Sequence, residues 1–148
     1  MNKSTKYSKV LFILHMPPPV HGASMVGKYI HDSKIINNAF ECHYLNLALA
    51  KDLDDIGKGG IRKLKEFYKQ LKQIRKQTKL IVPQLCYVTP NAKGGAFYKD
   101  FFVVMLLKMM RQNIVVHYHN KGIATRQNRY FDNLLYSTCL LYTSPSPR

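Results

Sequence analysis

Tryptophan is absent from this chain of 148 residues, cysteine occurs three times, and Asp and Glu together number only 8. Cys42, Cys86 and Cys139 form no CxxC pair and no metal-ligand spacing, and their odd count does not suit a secreted disulfide framework, so a reducing cytoplasm fits best. Long hydrophobic runs are missing as well. The most apolar stretch, residues 96–110, is interrupted by Lys99, Asp100 and Lys108 and falls short of the roughly 20 residues a membrane span needs. The apolar run 10–16 leads into Pro17, Pro18 and Pro19 instead of a small-residue cleavage site, so it reads as a strand and not as a signal peptide. Neither a GxGxxG fingerprint nor a Walker loop is present, which leaves NAD and ATP binding without support. No DxD-like metal motif occurs in a cleft loop, and Asp52, Asp54 and Asp55 read as a solvated acidic cluster.

What the chain does have is positive charge. Its 23 Lys plus Arg give a net charge of +15, which favours phosphates, acidic lipid headgroups or nucleic acid without choosing among them. With 46% apolar and 21% charged residues it has the balance of a globular domain with a real core, not of a disordered segment. The length allows one such domain and not two.

Strand and helix patterns alternate four times. Residues 9–16 form a continuous β-favouring run, as expected of a central strand buried on both faces, and residues 23–36 space Met25, Val26, Tyr29, Ile30 and Ser33 at helical intervals. Residues 40–47 alternate as a second strand, before an Asp- and Gly-rich loop over 51–60. A long amphipathic helix over 61–79 then carries Ile61, Leu64, Phe67, Tyr68, Leu71, Ile74 and Thr78 on one face and lysines and arginines over the rest. A third strand (85–89) stops at Pro90, a helix spans 96–110, a fourth strand spans 113–119, and a last helix spans 127–138. The expected class is α/β, a Rossmann-like, doubly wound parallel sheet built from stacked βαβ units. Ligands of such sheets sit outside the C-terminal ends of the strands, which directs attention to the loops after the first and fourth strands.

The first of these loops, 16–24, reads M-P-P-P-V-H-G-A-S. Prolines there hold the backbone extended, Gly22 permits close approach of a ligand, and the first turn of the following helix offers N–H groups at a positive dipole end. A diphosphate or a sugar hydroxyl suits it. The alternative is an ordinary strand-to-helix turn. In the second loop, V-H-Y-H-N-K-G over 116–122, His119 is the better placed of its two histidines for a polar ligand, with Asn120 and Lys121 beside it. No metal site is expected.

A first strand running into P-P-P-V-H-G-A-S, with a later strand ending H-Y-H-N-K-G, resembles bacterial GT-B glycosyltransferases of family four and related groups; the resemblance covers residues 9–136. It implies a retaining enzyme that moves a sugar from a nucleotide-sugar donor to a glycan or lipid-linked acceptor in surface polysaccharide synthesis, with no cofactor and no essential metal. It also implies that His21, Gly22, Ala23 and Ser24 lie near the donor and acceptor, that His119 approaches the transferred sugar as the catalytic residue, and that Asn120 and Lys121 help bind. The first loop departs from the family's usual double glycine, having His21, Gly22 and Ala23 in series. The family's paired donor-binding glutamates belong to a C-terminal domain that these 148 residues do not include.

Residues 139–148, C-L-L-Y-T-S-P-S-P-R, resemble the in-frame translation of a transposase mosaic-end sequencing adaptor. The expected organisation is therefore an incomplete N-terminal GT-B domain over 1–138 and a non-native tail over 139–148, a fragment inactive by itself. The competing reading of these residues is a natural Pro/Ser tail. For the basic helix 61–79, a solvated outer helix is the plain reading, and contact with an anionic membrane surface is the added expectation, which would place the protein on the inner face of the plasma membrane. A basic nucleotide- or nucleic-acid-binding α/β module without catalysis is the alternative function; no RNP-like or helix-turn-helix signature favours nucleic acid.

Overall fold

The computed structural model describes residues 8–18, 20–47, 60–91, 95–118, 134, 135, 137 and 138. Within them the elements run β1 (Lys9–Leu14), α1 (Gly22–Asp32), α2 (Lys34–Ala39), β2 (Glu41–Asn46), α3 (Gly60–Ile81), β3 (Leu85–Val88), α4 (Gly95–Met109) and β4 (Ile114–Val116). The four strands form one sheet in the order β2-β1-β3-β4, and every pair is parallel. This is an α/β domain of doubly wound layout, consistent with a Rossmann-like fold.

β1 is the central strand for the reason its composition suggests. Alternate side chains of a strand leave opposite faces, and here both faces are covered. Leu11 and Ile13 pack with Cys86 and Val88 of β3 against Ile74 of α3 and Val103, Val104 and Leu107 of α4. Val10, Phe12 and Leu14 face the other way, toward Ile30 of α1, Ile36 of α2, and Tyr44 and Tyr87 of the flanking strands. Phe12 lies between those two tyrosines, with ring centroids at 5.1 and 5.5 Å.

The expected single helix over 23–36 is two helices. Ser33 adopts φ −69° and ψ 111°, closing α1, and its side chain accepts a hydrogen bond from the Ile36 N–H to open α2. The buried stripe of α1 is also not the expected one: Ser24 and Gly27 are buried, Ile30 half-buried, and Tyr29 is 66% exposed. α3 buries Ile74 and Thr78 of its predicted apolar face, and with them Gln70, one turn earlier, which that face did not include. Its first half does not follow: Ile61, Leu64 and Tyr68 stay exposed. The loop expected over 51–60 lies outside the described residues except for Gly60, which is the first residue of α3, and of the helix expected over 127–138 only 134, 135, 137 and 138 are described, all helical. No helix among the described residues is long and apolar enough to cross a membrane.

Candidate functional site

The strand order reverses between β1 and β3: the chain goes from β1 to β2 on one side and then crosses to β3 on the other. At such a reversal, beyond the C-terminal ends of β1 and β3, open α/β sheets bind their ligands. The residues that follow those strands, His15 and Asn91, meet there.

His15 is 5% exposed and its Nε2–H donates to Asp100 Oδ2 at 3.1 Å. Asp100 comes from α4, is fully buried, and is the single acidic residue of that helix. The same Oδ2 accepts from the Asn91 backbone N–H at 2.9 Å and from Asn91 Nδ2 at 2.8 Å, so three donors surround one carboxylate oxygen. Asn91 Nδ2 is also 2.9 Å from His15 Nε2, to which it donates only in the tautomer that leaves this nitrogen bare, so the amide and the carboxylate compete for it. A buried carboxylate is tolerable only when paired and hydrogen-bonded, and this one is. The cluster ties the end of β1, the loop after β3 and the second turn of α4 to one another.

On the opposite face of β1 the backbone of α1 comes unusually close. A Cβ at Gly27 would stand 2.1 Å from the His15 carbonyl oxygen, so only glycine permits this packing. The N-terminus of α1 is held by a capping box with an uncommon cap: His21 Nδ1 accepts from the Ser24 N–H at 3.2 Å, and Ser24 Oγ accepts from the His21 N–H at 2.9 Å. Accepting at Nδ1 leaves the neutral His21 ring with its proton on Nε2. The His15 and His21 rings, at the two ends of the segment between β1 and α1, are 6.2 Å apart. The neighbouring end of β2 is tied in by polar contacts, Met16 N–H to Asn46 Oδ1 at 3.1 Å and Gln70 Nε2 to the Leu47 carbonyl at 3.1 Å.

Three buried polar atoms have no hydrogen-bond partner among the described residues here: Asp100 Oδ1, Thr89 Oγ1 and Gln70 Oε1. All belong to residues at the C-terminal edge of the sheet. Such orphans are costly, and proteins concentrate them where a site requires them.

Of the residues singled out in the sequence, His21, Gly22, Ala23 and Ser24 come together at the start of α1. The Ser24 side chain is buried and spent in the cap, whereas His21 and Gly22 are exposed, and a Cβ at Gly22 would meet nothing within 4 Å. His119, Asn120 and Lys121 lie outside the described residues. β4 ends at Val116, three residues earlier than the expected strand over 113–119, and His117 beyond it contacts the Tyr87 hydroxyl through Nδ1. His15, Asn91 and Asp100 were not legible as a site. The available signals were one carboxylate inside an otherwise apolar helix and a histidine at the end of an apolar strand.

Among the described residues no group of three or more His, Cys, Asp or Glu could hold a metal ion. The class defined is thus a parallel α/β domain with a buried polar cluster at its strand-order reversal. No family profile, curated protein or solved structure matches the chain.

Proposed function

We propose that this chain is the N-terminal, acceptor-side part of a GT-B glycosyltransferase that transfers a sugar from a nucleotide-sugar donor to a glycan or lipid-linked acceptor. The observation that carries the reading is the strand-order reversal between β1 and β3, with the loop after β1 leading into the first turn of α1 and open space beside Gly22. A helix start offers N–H groups and a positive dipole end to the leaving diphosphate, on which negative charge grows in the transition state. Retention of anomeric configuration comes with the family resemblance and not from any described residue. On this reading the chain alone is inactive, because the paired glutamates that grip the donor belong to a second domain.

On this reading the source gene, resequenced across residue 138, decides first. It should encode a second α/β domain with an E-x7-E motif, and a continuation without one overturns the proposal. In that longer product Gly22→Ala should leave the melting temperature unchanged or slightly higher, since the methyl meets nothing within 4 Å. Sugar transfer should fall at least tenfold if the donor diphosphate packs against this position. Transfer unaffected by Gly22→Ala would remove the first loop from the donor site.

The apolar side of α3 supports the membrane contact expected of the basic helix. Ile61, Leu64 and Tyr68 with Phe102 of α4 are all more than half exposed and border an open apolar groove of about 620 Å³, among lysines 63, 65, 69 and 72. Apolar side chains ringed by lysine suit the boundary between anionic headgroups and acyl chains.

A further inference from the structure

The capping box at the start of α1 uses a histidine where helices ordinarily use Ser, Thr, Asp or Asn. We propose that His21 makes this cap a proton-operated switch: the neutral ring closes the first turn of α1, and the protonated ring opens it. The proposal goes beyond the glycosyltransferase reading and needs neither its donor nor its second domain.

The hydrogen bond itself fixes which ring nitrogen matters. A backbone N–H only donates, so in the contact with the Ser24 N–H at 3.2 Å the His21 Nδ1 is the acceptor. An imidazolium carries a proton on both nitrogens and accepts nothing, so a proton taken up at Nδ1 replaces the hydrogen bond to Ser24. The added positive charge also falls at the positive end of the helix dipole, which acts in the same direction. Ser24 is fully buried, so its N–H has no water to turn to in place. Leaving a buried donor unpaired is costly, and the first turn has to open to rehydrate it. His21 is exposed and takes its proton from bulk water without any opening of the fold. A Ser, Thr or Asn cap would hold the same N–H at every pH, whereas the charge of a histidine changes between roughly pH 5 and 8.

Among the described residues, β1 faces His21 with His15, ring to ring at 6.2 Å. Beyond His15 lies Asp100 of α4, whose Oδ2 already gathers three donors. Lys28, His31 and Asp32 are two to three turns further along α1, and Asp32 pairs with the other two. Tyr44 of β2 packs on His31 at that far end, where Lys34 opens α2. The body of the helix is not released with its cap. At Gly27, one turn beyond Ser24, an added Cβ would stand 2.1 Å from the His15 carbonyl oxygen, so α1 stays seated on β1 there.

NMR of the 148-residue chain, titrated from pH 8 to 5, tests the switch. The Ser24 amide proton should shift with the same midpoint as the His21 ring nitrogens. Its protection against hydrogen exchange should fall about fivefold, the loss of one helix cap, with Gly27 protection unchanged. His21→Asn, which caps through its side-chain oxygen, should keep Ser24 protection constant over the whole range. His21→Ala should show already at pH 8 the low protection that the parent reaches at pH 5. The proposal is overturned by a Ser24 amide that follows the His15 ring or no ring, or by an equal loss at Gly27, which marks unfolding of the whole helix. It is overturned as well by a His21→Asn chain that titrates like the parent, or by His21→Ala as protected as the parent at pH 8.

Discussion

Gly27 and Asp100 fix the candidate site from opposite faces of β1, one by the space it leaves and the other by its charge. At Gly27 the constraint is space: an added methyl would lie 2.1 Å from the His15 carbonyl oxygen and 3.4 Å from Leu14 Cβ. Backbone cannot yield as a flexible side chain can, so α1 has to move away from the strand. Gly27→Ala should therefore destabilise the domain by about 1–3 kcal/mol, despite alanine's better helix propensity, as read by denaturant unfolding. A Gly27→Ala variant as stable as the parent would mean that α1 does not pack this closely on β1. At Asp100 the constraint is charge, with three donors gathered on Oδ2. Neither residue could be assigned its role from sequence. Gly27 looks like any helical glycine until its distance to β1 is known, and Asp100 finds His15 across 85 positions of chain. Gly22, by contrast, was legible as a helix start because that place depends only on its immediate neighbours.

Elements were read more successfully than residues, for a physical reason. A strand buried on both faces must be a continuous apolar run, so β1 announces itself, and the alternation of strand and helix patterns implies a parallel sheet. The division of α1 from α2 was hidden because Ser33 fits a helix by periodicity but uses its side chain to cap the next one. α3 shows the converse error: its apolar stripe is continuous in sequence, but the sheet covers only the second half. The uncovered half makes α3 the element on which membrane contact can be tried. On flotation with vesicles containing phosphatidylglycerol, charge reversal at Lys65, Lys69, Lys72 and Lys76 should weaken binding by at least fivefold for each position, since one lysine near such a surface contributes about 1 kcal/mol. Leu64→Ser with Phe102→Ser should weaken it further without altering the net charge. Unchanged flotation in both variants would leave α3 as an ordinary solvated helix.

At the scale of the whole molecule, stability should fall in alkali through the layer that surrounds β1. Burial pushes the Cys86 thiol up from 9.0 to about 12, and burial followed by the neighbouring Cys42 pushes Tyr44 from 10.0 to about 12. Tyr87 is raised by burial as well. In each case the fold favours the protonated, neutral form, whereas the unfolded chain ionises near the ordinary value. Above pH 9 the unfolded state therefore binds fewer protons than the folded one, and stability declines with pH. The contribution is complete below about pH 9 and is lost progressively as pH approaches 12. An opposing effect acts in the same range: with a net charge of +15, deprotonation of lysines relieves self-repulsion and favours the compact state. Comparison with Cys86→Val separates the two, because valine does not ionise and the lysines are common to both proteins. The stability of the parent relative to Cys86→Val, measured by urea unfolding, should be constant from pH 7 to 8.5 and fall steadily between 9 and 11. Cys86 should also resist iodoacetamide in the folded protein throughout that range and react on unfolding. A parent-to-variant difference that stays flat to pH 11 would mean that Cys86 ionises as readily in the fold as outside it, which its complete burial between β1 and α4 does not allow.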